Sequence, residues 1–355
     1  MKEDLSSRLH PGWGGAILGI GGASLASLFN PWQGSELDHQ IGSILTAITA
    51  IVFGVVLCAN VLRLFRHRQE VLNDLRNPML GGLFGTIPAG SLVLGIAVTE
   101  LGLLGDLDQD FARNIGLMLT FFGIPLALLV GFVFFTLIVE RDEFAVASMT
   151  GAWFIPIVVL VLTPSLMLRI QRLNEPSSLD GGFVVAAGLW GAGFFLFIFL
   201  GSVIAWRLIT TPRPSAHMAP SWFIWLAPAS AGALGLNAIL SWIHQVSDSP
   251  SSRAWNIDIV ISGSIFLGFA TWWLAFATLQ VWRLRSEITF HVGSWGFAFP
   301  FAAYSALVTV MTRYIESSSL QTLAITTWTI TLLLLLILIQ SSIRHLVRLT
   351  RTEID

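Results

Sequence analysis

The sequence predicts an all-α integral membrane protein of ten transmembrane helices. Composition carries the first half of that expectation: the 355 residues are 54% hydrophobic and 11% charged, with a mean hydropathy of +0.76, outside the range of soluble domains. Run length carries the second half. A hydrocarbon core of about 30 Å needs roughly 20 apolar helical residues, and ten runs approach or exceed that length. A closed β-barrel would instead show segments of about ten residues alternating apolar and polar, which the run Thr331-Leu332-Leu333-Leu334-Leu335-Leu336-Ile337-Leu338-Ile339 excludes.

In order, the expected spans are 12–29, 41–64, 80–103, 112–139, 144–168, 182–207, 221–243, 255–282, 289–312 and 320–343. The first is a glycine cluster of Gly12, Gly14, Gly15, Gly19, Gly21 and Gly22. The third, fifth, seventh and ninth carry Pro88, Pro156, Pro228 and Pro300, which recur 68, 72 and 72 residues apart. Proline inside a helix removes a backbone hydrogen bond, and in a bilayer this survives only where protein or a water-filled cavity satisfies the freed carbonyl. Odd spans also hold Thr86, Ser91, Thr150, Ser230 and Asn237, which suits an inner ring around a cavity. Even spans such as 182–207, with Phe183, Phe194, Phe195, Phe197 and Phe199, suit an outer ring facing lipid or neighbouring subunits.

Five hairpins of about 70 residues, each an odd span and the even span after it, thus form a single domain over 1–355. Fourteen of the 19 basic residues lie in the N-terminal tail or after even spans: Lys2, Arg8, Arg63, Arg66, Arg68, Arg76, Arg141, Arg207, Arg213, Arg283, Arg285, Arg344, Arg348 and Arg351. Arg113, Arg169, Arg172, Arg253 and Arg313 lie on the other side. The positive-inside bias therefore places both termini in the cytoplasm, as tails over 1–11 and 344–355. Met1 to His10 mixes Lys2 and Arg8 with Glu3 and Asp4 and reads as a retained tail rather than a cleaved signal. The polar connections 65–78 and 244–254 read as solvated loops.

Catalysis finds no support. His10, His39, His67, His217, His244, His291 and His345 lie in tails, loops or span ends, and no H-E-x-x-H, P-loop or G-x-S-x-G motif is present. Ser262-Gly263 has no evident base. Cys58 is the only cysteine, so neither a disulfide framework nor a multi-cysteine metal site is available. No cofactor, metal or nucleic-acid partner is expected. A charge at the bilayer centre costs roughly 2.5–3.5 kcal/mol on insertion scales, and none sits mid-span: Glu100, Asp258, Arg169, Arg207 and Arg313 fall near span ends, where long side chains snorkel.

Five strings on the odd spans resemble one family. Pro11-Gly12-Trp13-Gly14-Gly15-Ala16-Ile17-Leu18-Gly19 is similar to its glycine-rich first helix, and Asn77-Pro78 followed by Ile87-Pro88 to its third. Trp153-Phe154-Ile155-Pro156 resembles the fifth, and Pro220-Ser221-Trp222-Phe223-Ile224-Trp225-Leu226-Ala227-Pro228 the seventh. Trp295-Gly296-Phe297-Ala298-Phe299-Pro300 resembles its aromatic-rich ninth-helix signature. The family is that of tellurite-resistance/dicarboxylate transporters, which includes bacterial tellurite-resistance channels, plant slow anion channels, and fungal malate permeases and sulfite exporters. The resemblance implies five hairpins in quasi-five-fold order around a central pore, assembled as a homotrimer with one pore per subunit. It implies that Phe299 plugs the pore as a gate and that Gly15 offers the space into which the ring rotates. The plant channels' long N-terminal regulatory extension has no counterpart.

Together the inner ring and the resemblance give Gly15, Leu18, Gly19, Thr86, Ile87, Pro88, Phe154, Pro156, Pro228, Phe297 and Pro300 as expected pore-lining residues. Close helix packing is the alternative for both glycines: Gly19 suits packing and pore lining equally, and Gly15 suits the pore better. The expected function is a gated anion channel or uniporter in the cell membrane, surrounded by lipid and passing chloride, nitrate, sulfite-like oxyanions or dicarboxylates such as malate. A proton-coupled dicarboxylate carrier or sulfite exporter is the alternative, and a membrane scaffold without transport is a third reading.

Overall fold

The computed structural model describes residues 10–33, 35–141, 145–174, 179–247 and 252–351. Most of the expected N-terminal tail, including Lys2 and Arg8, lies outside them, as does part of the 244–254 connection. Helix α1 (Gly14–Leu28) follows a turn of 3₁₀ helix at Pro11–Trp13. Helix α2 (Leu37–Arg66) leads into the short α3 (Arg68–Arg76), and α4 (Thr86–Leu104) follows a 3₁₀ stretch at Gly81–Gly85. Helix α5 (Gln109–Val139) precedes Gly151–Phe154 and α6 (Ile155–Arg172); then come α7 (Gly181–Thr210), α8 (Pro220–Ile224), α9 (Leu226–Val246) and α10 (Ser252–Leu284). A final 3₁₀ stretch, Val292–Phe297, opens α11 (Ala298–Thr312), and α12 (Ser318–Arg351) ends the described chain.

Among the described residues, nine helical stretches are long and apolar enough to cross a membrane. Four of them, built on α4, α6, α9 and α11, are 72–89% buried inside the protein, whereas α2, α5, α7, α10 and α12 are 17–33% buried. The first expected span is not among the nine, although its α-helix is as long as α11. Its α-helix has 15 residues, all buried, and at 1.5 Å per residue it is shorter than the hydrocarbon core. A helix enclosed by protein on every side need not match the thickness of the lipid.

Each of the five buried helices packs against the exposed helix that follows it, and the buried helices also contact one another in a closed cycle: α1 with α4, α4 with α6, α6 with α9, α9 with α11, and α11 with α1. Buried hydrogen bonds pin the two layers together. Ser24 Oγ donates to the carbonyl of Gly42 at 3.0 Å, and Ser91 Oγ to that of Leu119 at 2.8 Å. The indole N–H groups of Trp190, Trp273 and Trp328 donate to the Gly232 carbonyl, the Trp222 carbonyl and Ser27 Oγ at 2.8–2.9 Å. Each satisfies a polar group that would otherwise be costly to bury.

The four repeated prolines are not interior kinks. Pro88, Pro156, Pro228 and Pro300 occupy the second or third residue of α4, α6, α9 and α11, where a missing N–H removes no intrahelical bond because the first turn has no partner for it. At Pro156 the preceding 3₁₀ turn takes up the orphaned acceptor, since Ile155 N–H donates to the Ala152 carbonyl. The interior prolines are instead Pro125 of α5 and Pro164 of α6. The fifth span also starts later than its apolar run: after a separate 3₁₀ turn at Val146–Ser148, Thr150 is extended and its side chain caps the Ala152 N–H, so the continuous helix begins at Gly151 rather than 144. At the other end, α12 continues through Arg351, beyond the expected boundary at 343.

Close approach of α9 to α6 depends on Gly235, where a methyl group would collide with the Val161 carbonyl oxygen and lie 2.9 Å from the Trp190 ring. Gly235→Ala is expected to cost about 1–3 kcal/mol, as overpacked cores do. The check is a lower thermal midpoint for the detergent-solubilised variant.

Candidate functional site

The cycle of buried helices encloses two cavities. The first, of about 60 Å3, is walled by the N-terminal part of every buried helix or the stretch preceding it: Gly15 and Leu18, Leu83, Thr86 and Ala89, Ile155 and Val158, Ile224 and Ala227, and Trp295, Gly296, Phe299 and Pro300, with Gly12 and Gly293 at its edge. The second, of about 110 Å3, is walled by the C-terminal parts of the same five helices. The buried helices therefore run in a common direction, and their partially positive N-terminal ends gather around the first cavity. Between the two lies one apolar cluster, which joins Leu18, Ala89, Val158, Ala227 and Phe299 of the first wall to Leu25, Ile96 and Leu162 of the second.

Of the residues expected along a pore, Gly15, Leu18, Thr86, Phe299 and Pro300 meet at the first cavity. Helical phase turns others elsewhere. Phe154 points outward into edge contacts with Phe197 and Trp225, at centroid distances of 5.3 and 4.8 Å. Phe297 stands edge-on to Phe223 at 5.1 Å, and Ile87 packs with the cluster between α2 and α5. Pro88, Pro156 and Pro228 lie within the helix-to-helix packing rather than on the cavity wall. Gly19 faces Ala298 and the Trp295 ring, with room for no more than a hydrogen: a Cβ there would stand 2.7 Å from the Ala298 Cβ.

Phe299 is 6% exposed. The glycine beside its ring is Gly22 rather than Gly15. A Cβ at Gly22 would lie 3.1 Å from Phe299 Cδ2, whereas one at Gly15 would lie 2.9 Å from the Trp295 Cβ. Gly15, Gly19 and Gly22 form one stripe on α1, against which Trp295, Ala298, Phe299 and Ala302 of the ninth span pack in register. The relative rotation of α1 and α11 decides which glycine meets which ring, and no single-helix pattern contains that information.

The second cavity holds residues that reading the spans one at a time did not bring together. Arg169 and Arg172 of α6 and Arg313 at the end of α11 line it with Ser165, Asn237, Ser241 and Tyr314. Arg169 Nε donates to Glu100 Oε2 at 2.7 Å, a pair whose side chains are only 18% and 12% exposed. Glu100 and Arg169 thus face each other across the interior instead of snorkelling outward. The Phe29 ring lies between Arg169 and Arg313, 5.5 and 5.7 Å from their guanidinium carbons. Arg313 Nη2 also donates to the Phe29 carbonyl at 2.9 Å, answering the C-terminal end of α1.

A third hollow opens beside the first cavity and shares Leu83, Ile224 and Gly293 with it. His10, His217 and His291 line it. The rings of His217 and His291 stack at 3.7 Å, and His10 Nδ1 accepts from the Gly12 N–H at 3.0 Å. Burial first, then the neighbouring His217 and His10, pushes His291 down to about 4; burial likewise lowers His10. Neutral His291 accepts from the backbone at the start of Val292–Phe297, while Ser294 Oγ accepts from the His291 N–H at 3.2 Å.

Two outcomes follow. Gly15→Ala is expected to cost about 1–3 kcal/mol through overpacking against Trp295, read as a lowered thermal midpoint. For His291 the folded value lies below the ordinary 6.5, so the unfolded chain takes up the proton first. Its contribution to stability is complete above about pH 6.5 and is lost progressively as pH falls towards about 4. His291→Gln should flatten that part of the pH dependence of the thermal midpoint, measured between about pH 7.5 and about pH 4.5.

A sequence profile described as that of the voltage-dependent anion channel matches residues 8–343. Two transporters of Methanocaldococcus jannaschii, both named uncharacterized, are similar along most of their length. One is 29% identical over 315 residues, 86% of this chain and 84% of the relative. The other is 27% identical over 300 residues, 83% of this chain and 82% of the relative. With its apolar helices, the protein is a multi-pass membrane protein of a channel and transporter lineage rather than an enzyme. The match over nearly the whole chain places it in the voltage-dependent anion channel family, the tellurite-resistance family.

Proposed function

We propose that the protein is a gated anion channel or uniporter whose path runs along the axis of the five buried helices and is closed at Phe299. The observation that carries this reading is the pair of cavities, each walled by all five buried helices, with an apolar cluster containing Phe299 between them. An ion entering the first cavity meets helix N-terminal ends, which favour negative charge. It then reaches apolar side chains that offer no substitute for its hydration shell. Displacing the Phe299 ring, which lies against Gly22, removes part of that barrier.

On this reading α1 serves as the first of ten spans, giving five hairpins in quasi-five-fold order. The histidine-lined mouth and both termini face the cytoplasm, in keeping with the basic residues after even spans. The cell membrane is the location the reading assigns. Exposed apolar side chains on the outer helices, including Phe121, Phe132, Phe195, Phe199 and Trp272, suit lipid and the subunit contacts of a homotrimer. Chloride, nitrate, sulfite-like oxyanions and dicarboxylates are the candidate substrates.

One observation favours a second reading, a proton-coupled carrier of dicarboxylates or sulfite. Glu100 is a buried carboxylate beside the second cavity, held by Arg169, and buried acidic groups are common parts of proton relays. Net flux that follows an imposed pH gradient at clamped voltage would select that reading.

Anion current across planar bilayers containing the purified protein tests the first reading. Phe299→Ala is expected to raise the current about tenfold or more, since a barrier lowered by only about 1.4 kcal/mol already gives that factor. Equal currents in the variant and the wild type, with both proteins folded, would contradict closure at this residue.

A further inference from the structure

We propose that the second cavity is an oxyanion-binding site, in which Arg172, Asn237 and Ser165 supply the donors and Arg169 and Arg313 the field. The proposal rests on the anion-transport reading and names where on the path an anion pauses and what kind of anion it is.

Charge is the first argument. Among the described residues, three arginines line this cavity and no carboxylate does. The neighbouring Glu100 compensates only one of them, because it pairs with Arg169. Arg313 spends Nη2 on the Phe29 carbonyl, and Arg169 spends Nη1 on the Ser165 carbonyl at 2.7 Å. The first of these bonds answers the partially negative C-terminal end of α1; the second returns to the backbone of Arg169's own helix. They account for part of the arginines' presence, and a surplus of positive charge remains.

Unmet hydrogen-bonding capacity is the second argument. Asn237 is 5% exposed and Ser165 is 4% exposed, and neither the Asn237 amide atoms nor the Ser165 hydroxyl has a hydrogen-bond partner; Arg172 Nε is buried and unpartnered as well. Buried polar groups of a folded chain are nearly always bonded, and leaving them unpaired costs free energy. Here three such groups, from α6 and α9, line one cavity of about 110 Å3. A structural role in helix packing would use their hydrogen bonds within the protein; a ligand site holds them in reserve.

Donor geometry then selects the class of anion. A guanidinium presents a planar fork that matches two oxygens of a carboxylate or inorganic oxyanion. An amide N–H and a hydroxyl alongside it suit further oxygens on the same ligand. A spherical halide engages one such direction at a time, so several fixed donors favour an oxyanion over chloride.

The test is the concentration of anion giving half-maximal thermal stabilisation of the purified full-length protein in detergent, at constant ionic strength, with sulfite, succinate and chloride as probes. Sulfite or succinate is expected to act at a concentration at least about tenfold below chloride, the factor that about 1.4 kcal/mol of added hydrogen bonding gives. Arg172→Gln should raise that concentration about tenfold or more. Asn237→Leu should do the same while leaving the unliganded protein as stable as the wild type or more so, because it removes polar atoms that have no partner. This second variant keeps the test valid if Arg172→Gln fails to fold. Equal half-saturation by all three probes, or an unchanged value in either folded variant, overturns the site. Current through Phe299→Ala is measured separately: current without such binding leaves the transport reading standing and removes this site, whereas binding without current does the reverse.

Discussion

Five helices that contact one another in a closed cycle leave a space on their common axis, and how that space is filled governs the rest of the molecule. Small residues let the ring close. The Gly15, Gly19 and Gly22 stripe brings α1 against the ninth span, and Gly235 brings α9 against α6. The exposed helices outside supply the lipid-facing surface and hold the ring through buried indole and hydroxyl bonds. What remains on the axis is an apolar middle with a cavity at either end. Irregular backbone in a bilayer is tolerated where protein encloses it, and the 3₁₀ stretches opening the buried helices sit inside such an enclosure.

Electrostatics divides the two ends. Because the buried helices run in one direction, N-terminal ends surround the first cavity and C-terminal ends the second. The first cavity is favourable to an anion without any charged side chain among the described residues of its wall. The second needs Arg169, Arg172 and Arg313 to offset the carbonyl ends, and it has them. An ion path with moderate attraction at each end and a dehydrating constriction between permits both entry and exit, which conduction requires. Glu100 tempers the arginine end by neutralising Arg169.

Much of this was legible in the sequence, for identifiable reasons. Hydropathy and run length reveal long helices directly, and the contrast between small-residue and phenylalanine-rich spans reflects how much of each helix is enclosed. The aromatic string ending at Phe299-Pro300 marked the segment that reaches the axis. Other features depend on geometry between helices. Proline in an apolar run reads as a kink, yet a 3₁₀ start before it converts the same residue into a first-turn position. Gly22 rather than Gly15 meets Phe299 because of the rotation of α1 relative to α11. The arginine cavity draws its residues from every buried helix, and the histidine hollow joins His10, His217 and His291 from widely separated connections. Read singly, those arginines and histidines were span-end and loop residues.

On the proposed function, ions cross along the axis of the buried helices rather than between subunits or through the outer layer. Thiol modification tests it most directly, because Cys58 is the only native cysteine and lies exposed on α2. In a Cys58→Ser, Phe299→Ala protein, Leu162→Cys places a thiol where the apolar cluster meets the wall of the second cavity, while Leu196→Cys places one on the outward face of α7. A charged methanethiosulfonate reagent is expected to alter the anion current through the first variant and to leave that through the second unchanged. Unaltered current after complete modification at Leu162→Cys would contradict the axial path.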